Sequence, residues 1–254
     1  MSENKRVLAV GAHPDDVEFS CAGTLSQLRK LGAEIFIATV CNGDCGTTQY
    51  PAHEIAAIRK AEATASAQLL GATYRCVGAH DLSVDYDTVT RRQVTGLIRS
   101  VDPAIVITHY LIDYMVDHEV TSRLVRDACF CAGVPNFASA GNEKPTQGVP
   151  HLYYVTPSDC ADNVGNPIEP HFVVDVSAEV GLKREMLACH ASQREWLRRH
   201  HGSDEYLDWM ERRGAAMGQR IGAKHAEGFL QHLGQPYPKD NMLLEWLKAE
   251  PETV

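Results

Sequence analysis

Nothing in this sequence is apolar for long enough to cross a bilayer: no run approaches the roughly 20 residues that a transmembrane helix requires. The opening segment MSENKR is short and polar and carries no signal-peptide core, so a cytoplasmic protein is expected. Positive charge is also in deficit. Lys and Arg number 24 against 33 Asp and Glu, a formal net charge of −9, and a nucleic-acid surface would reward the opposite balance. The arginines at Arg194–Arg199 and Arg212–Arg213 alternate with acids and read as solvated helix faces. Paired CxxC knuckles are missing too, although there are eight cysteines. In a reducing compartment these read as small buried hydrophobes. The Cys41/Cys45 pair in CNGDCG is explained by a Gly-rich turn, with a redox or ligand pair as the competing reading.

What is present is an alternation of strand and helix signals. RVLAVGA is a continuous apolar run, the mark of a strand buried on both faces. VEFSCAGTLSQLRKLG has Ala22, Leu25, Leu28 and Leu31 at helical spacing and Gly32 as a stop. EIFIATV, TYRCVG and PAIVITH predict further strands; AHEIAAIRKAEATASAQLLG, TVTRRQVTGLIRSV and HEVTSRLVRDACFCAG predict helices. This order implies α/β architecture: a Rossmann-like three-layer α/β/α sandwich with a mostly parallel central sheet. Beyond Gly133, GVPNFASAGNEKPTQGVP predicts a long surface loop of the kind that is often functional. HLYYVT and HFVVDVS then read as strands, and AEVGLKREMLACHASQREWLRRH and DEYLDWMERRGAAMGQRIGAKHAEGF as two helices. With no internal repeat and no clear linker, residues 1–254 read as one domain.

The first strand ends in GAHPDD, where a dinucleotide-binding turn would carry GxGxxG. Its carboxylates would repel a pyrophosphate, so a Rossmann-type oxidoreductase is disfavoured on electrostatics as well as on pattern. In an open α/β sheet, ligands bind outside the carboxyl ends of the strands, which is where His13, Asp15 and Asp16 fall. A catalytic zinc site draws about three ligands from such residue types and leaves a position for water. His13 and Asp16 can converge across the proline turn. A third ligand is expected from HYLIDYMVDHE after the fourth strand, with His118 at the mouth of the next helix.

AHPDDVE together with DYMVDHE resembles the LmbE-like, or phosphatidylinositol-glycan class L, zinc-dependent deacetylases. The likeness continues through Arg59 and Glu62 before LG, and through HASQ (His190–Gln193) and HAEGF (His225–Phe229), covering most of the chain. It implies His13, Asp16 and His118 as zinc ligands, with iron(II) compatible with the same set, and Asp15 as general base. The implied reaction is removal of an acyl group, usually acetyl, from the amide nitrogen of an amino sugar or related glycoside. The resemblance also implies a homo-oligomer, for which the Trp-bearing C-terminal segment is a candidate contact.

One departure matters. The family usually reads His-Pro-Asp-His where this chain has Met115, Val116, Asp117 and His118, and the first of those histidines helps to stabilise the oxyanion. A thioether cannot donate a hydrogen bond. His109 is the first candidate to replace it and Tyr114 the second, while Asp117 reads as orienting a histidine or capping a helix. Arg59 is a candidate for a substrate hydroxyl or phosphate, with an ion pair to Glu62 as the structural reading. Asp81 is a candidate sugar-hydroxyl contact. His80, His151 and His171 read as structural, and Trp196, Trp209 and Trp246 as core or interface anchors. Two alternatives accompany the deacetylase reading. One is an amidase on a larger conjugate, such as a thiol conjugate or an antibiotic intermediate, with the 133–150 loop and C-terminal helices shaping its pocket. The other is a metal- or sugar-binding relative that has lost its chemistry.

Overall fold

A computed structural model describes residues 4–201 and 205–248. Its centre is a seven-stranded sheet in the order β3-β2-β1-β4-β5-β7-β6. The strands are β1 (Arg6–Gly11), β2 (Glu34–Cys41), β3 (Thr73–Ala79), β4 (Ile105–Thr108), β5 (His151–Val155), β6 (Phe172–Asp175) and β7 (Ala226–Gln231). β1 to β5 run parallel, and β7 is antiparallel to both β5 and β6. The alternation expected from the sequence therefore produces the expected three-layer sandwich. Val7 and Ala9 face one core with α1 (Asp16–Lys30), α2 (Ala52–Leu69) and α5 (Val180–Ala188). Leu8 and Val10 face the other, with α3 (Thr88–Val101) and α4 (Val116–Ala132).

The chain crosses from β1 to β2 to β3 on one side, then returns to place β4 on the other flank of β1. That reversal opens a crevice at the carboxyl ends of β1 and β4, the place where doubly wound sheets take their ligands.

The second half departs from the sequence reading in three places. The helix expected over 178–200 is two, α5 and α6 (Ala191–His201), broken where His190 turns fully inward to meet Glu18 at 3.2 Å. The helix expected over 204–229 ends as α7 (Tyr206–Gly218) plus one 3-10 turn. Gly222 then takes φ +73°, and residues 226–231 cross into the sheet as β7. Glu227 disguises that strand. It is a buried carboxylate paired with Lys183 and accepting the Gly23 and Thr24 N–H groups at 3.0 and 2.8 Å. A short α8 (Met242–Lys248) has no counterpart in the pattern read from sequence.

Residues 133–150 contain no helix or strand, as expected, but they do not shape the crevice. Arg99 clamps the loop through the carbonyls of Val134 and Glu143, and residues 144–150 lie against Arg6, Glu34 and Asp102, at the opposite edge of the sheet.

Candidate active site

The turn after β1 sets the floor. Asp15, the N-cap of α1, adopts φ +116°, a conformation that side-chain-bearing residues rarely take and that marks functional turns. The turn closes on itself as the His13 N–H donates to Asp16 Oδ2 at 2.7 Å. Across the crevice, the β4–α4 loop brings His109 and Asp113 alongside, and the first turn of α4 brings His118.

His13, Asp16 and His118 offer ligand atoms that all lie within 4.8 Å of one another. Each imidazole is fixed from behind. His13 Nε2 meets Asp117 Oδ2 at 2.8 Å, which leaves Nδ1 3.6 Å from Asp16 Oδ2. His118 Nδ1 meets Asp113 Oδ1 at 2.9 Å, which leaves Nε2 3.4 Å from Asp16 Oδ1. Carboxylates behind histidines are the usual outer support of a metal site, fixing both the tautomer and the direction of the free nitrogen. Asp113 has no sequence signal beyond its place in the motif loop. Its N–H is itself held by Glu119 Oε1 at 3.1 Å.

The electrostatics fit a cation. Burial opposes the charge on His13, but the Asp117 hydrogen bond and nearby Asp16 outweigh it and raise the imidazole to about 9. Burial is likewise overridden at His118, where Asp16 and Asp113 raise it to about 10. Burial alone would push Asp16 upward, yet His118 and His109 hold its carboxyl well below the usual range. The residues present therefore fit a divalent metal held by His13, Asp16 and His118.

Asp15 stands outside that ligand set. Burial pushes its carboxyl up to about 6 against the pull of Arg59. Arg59 is itself buried, donating to the Pro14 carbonyl at 2.7 Å and lying 3.6 Å from Asp15 Oδ2. It does not pair with Glu62, whose carboxylate instead takes the Ser192 N–H and hydroxyl at 2.8 and 2.6 Å. Gly43 presses on Arg59 so closely that a Cβ there would sit 2.7 Å from its Cδ. Behind this pair, His190 lies against Glu18, so HASQ and the acid of AHPDDVE meet in one buried contact.

The other sequence candidates also border the cavity, which measures about 270 Å³. Asp81 lines it, but its two oxygens accept the Gly43 and Cys45 N–H groups at 2.8 and 3.1 Å. His109 Nε2 accepts the Ala12 N–H at 2.9 Å and lies 3.1 Å from Asp16 Oδ2, so that nitrogen is engaged in the floor. Tyr114 stands edge-on to His118 with ring centroids 5.4 Å apart. Trp246 packs on the core, whereas Trp196 and Trp209 line the cavity along with Gln193, Leu197 and Tyr206. The C-terminal helices thus form a wall that the tryptophan pattern alone does not reveal. His151 meets Asp240 at 3.0 Å and His171 Nδ1 accepts the Gln231 N–H at 3.2 Å, both away from the cavity. Cys41 and Cys45 are free thiols, the first buried and the second exposed.

Residues 8–129, which include all of the floor, match the PIG-L family, described as GlcNAc-PI de-N-acetylase. Diacetylchitobiose deacetylase of Thermococcus kodakarensis is 27% identical over 74% of this chain and 70% of its own length. A Bacillus anthracis protein named as a probable N-acetyl-alpha-D-glucosaminyl L-malate deacetylase 2 is 28% identical over 84% of this chain and 94% of its own. The solved 4-carboxy-2-hydroxymuconate hydratase of Pseudomonas putida superposes with a TM-score of 0.75 at 22% identity, covering 94% of this chain and 99% of that one. The same fold therefore carries more than one reaction, and the site must decide between them. The motif, the floor it builds and the deacetylase relatives together make residues 8–129 similar to the PIG-L, or LmbE-like, family.

Proposed function

We propose that the protein is a metal-dependent hydrolase that removes an acetyl or other acyl group from the amide nitrogen of an amino sugar or related glycoside. One observation carries this reading. Two carboxylate-backed histidines and Asp16 converge on a common centre, and a further buried carboxylate, Asp15, stands beside them without joining the set. The names of the two curated relatives, both deacetylases of N-acetylated sugars, support it.

His13, Asp16 and His118 would hold the ion, for which zinc is our assignment and iron(II) is compatible. Such an ion supplies a Lewis acid that activates water and polarises the amide carbonyl. Asp15 accepts the proton of the attacking water and returns it to the leaving amine, a role suited to a carboxyl raised towards neutrality. Arg59 keeps Asp15 in place, and with Asp81 we assign it to the substrate side of the cavity. His109 and Tyr114 are our two assignments for the donor to the tetrahedral oxygen. The engagement of His109 Nε2 at Ala12 and Asp16 favours the Tyr114 hydroxyl.

The same reading takes the chain as a single domain and the protein as a cytoplasmic homo-oligomer acting on small molecules. Among the described residues, no helix is long and apolar enough to cross a membrane.

The test is acetate release from a panel of N-acetylated sugars by purified protein, stripped by a chelator and reloaded with zinc or iron(II). Release should vanish on stripping and return on loading. Bound metal with no release from any member would favour a binding protein instead.

A further inference from the structure

The mouth of the cavity is built from side chains that folding would ordinarily hide. Leu82, on the loop after β3, is 61% exposed and lines the cavity. Its backbone sits at φ +58°, a region a branched apolar residue seldom occupies. Its N–H donates to Asp117 Oδ2 at 2.8 Å, the same oxygen that holds His13, so the leucine is locked in register with the floor. On the neighbouring loop, Tyr114 is 67% exposed and Met115 lies beside it, both lining the same cavity. Strained backbone that persists under a rigid hydrogen bond tends to mark a functional contact. Apolar surface continuous with a reaction cavity is the usual mark of a ligand contact.

We propose that the substrate carries an apolar extension beside its scissile amide, received between Leu82 and Met115 at the cavity mouth. The inference rests on the amide-hydrolase reading above and adds to it the substrate class. Leu197 and Trp209 add to the apolar lining of the same cavity. The extension belongs either to the aglycone or to the acyl chain, and the chemistry it requires of the rim is the same.

The experiment compares three substrates on the metal-loaded protein: the methyl and phenyl glycosides of N-acetylglucosamine, and the methyl glycoside of N-hexanoylglucosamine. We expect kcat/KM to exceed that of the plain methyl glycoside by about 10- to 100-fold for one extended substrate, as a buried hydrophobic contact supports. The substrate that gains names the source. Leu82→Asn, whose side chain tolerates the left-handed region, and independently Met115→Gln, should collapse that ratio. Equal kcat/KM for all three substrates, or a ratio untouched by both variants, overturns the inference. So does a change of oligomeric state in Leu82→Asn with the ratio intact, which would make the rim a subunit contact. If nothing is hydrolysed, calorimetric binding of the same compounds separates the two claims. Tighter binding of an extended compound, lost in Leu82→Asn, keeps the rim and rejects the hydrolase; equal or absent binding rejects both.

Discussion

At the scale of single residues, the contrast between Asp15 and Asp16 is set by one step along the backbone. Asp16 faces three imidazoles, while Asp15, turned by its left-handed conformation, faces Arg59. Asp15→Ala should therefore lower turnover by about 10²- to 10⁴-fold while leaving metal content unchanged. Loss of metal by elemental analysis would move Asp15 into the ligand set. A second expectation concerns protons. With His13 raised to about 9 and His118 to about 10, both imidazoles are charged at pH 7 and must lose their protons to coordinate. Loading should then release about two protons per ion near neutrality, and affinity should fall as pH drops. Calorimetry in buffers of different ionisation enthalpy measures this, and a release near zero would contradict two charged imidazoles in the metal-free protein.

The elements explain why part of this architecture is legible in the sequence. A continuous apolar run followed by HPDD fixes both the strand and the edge on which its acids stand, so the first half of the fold and the floor follow from local pattern. Asp113 and the Trp196–Trp209 wall do not. Their roles depend on which distant segments meet, and no spacing records that. β7 hides because Glu227 is a buried charge, and a sequence shows the charge without its partner. That pair also makes a prediction. Lys183 is buried against Glu227, which ties α1, α5 and β7 together. Lys183→Met leaves the carboxylate uncompensated and should cost about 3–5 kcal/mol in denaturant unfolding. A change under about 1 kcal/mol would show the pair to be dispensable.

For the whole molecule, the family match ends at residue 129, but the fold does not. β5, β7 and β6 complete the sheet beyond β4, and Met186 and Phe229 fill the same core as Val7 and Leu25. A chain ending at residue 132 should consequently fail to fold as a monomer, seen as loss of cooperative thermal unfolding and as aggregation on gel filtration. A soluble, cooperatively melting fragment would make residues 4–132 a separate domain.

Residues 144–150 lie at the amino ends of the strands, with the length of the strands between them and the candidate site at the carboxyl ends. A laboratory insertion around the exposed Gly148, where a Cβ would meet nothing within 4 Å, should meet little resistance from the candidate site. Gly148 is accordingly the place to attach a surface tether or a fluorescent reporter, leaving the cavity at the other end free to face its solution.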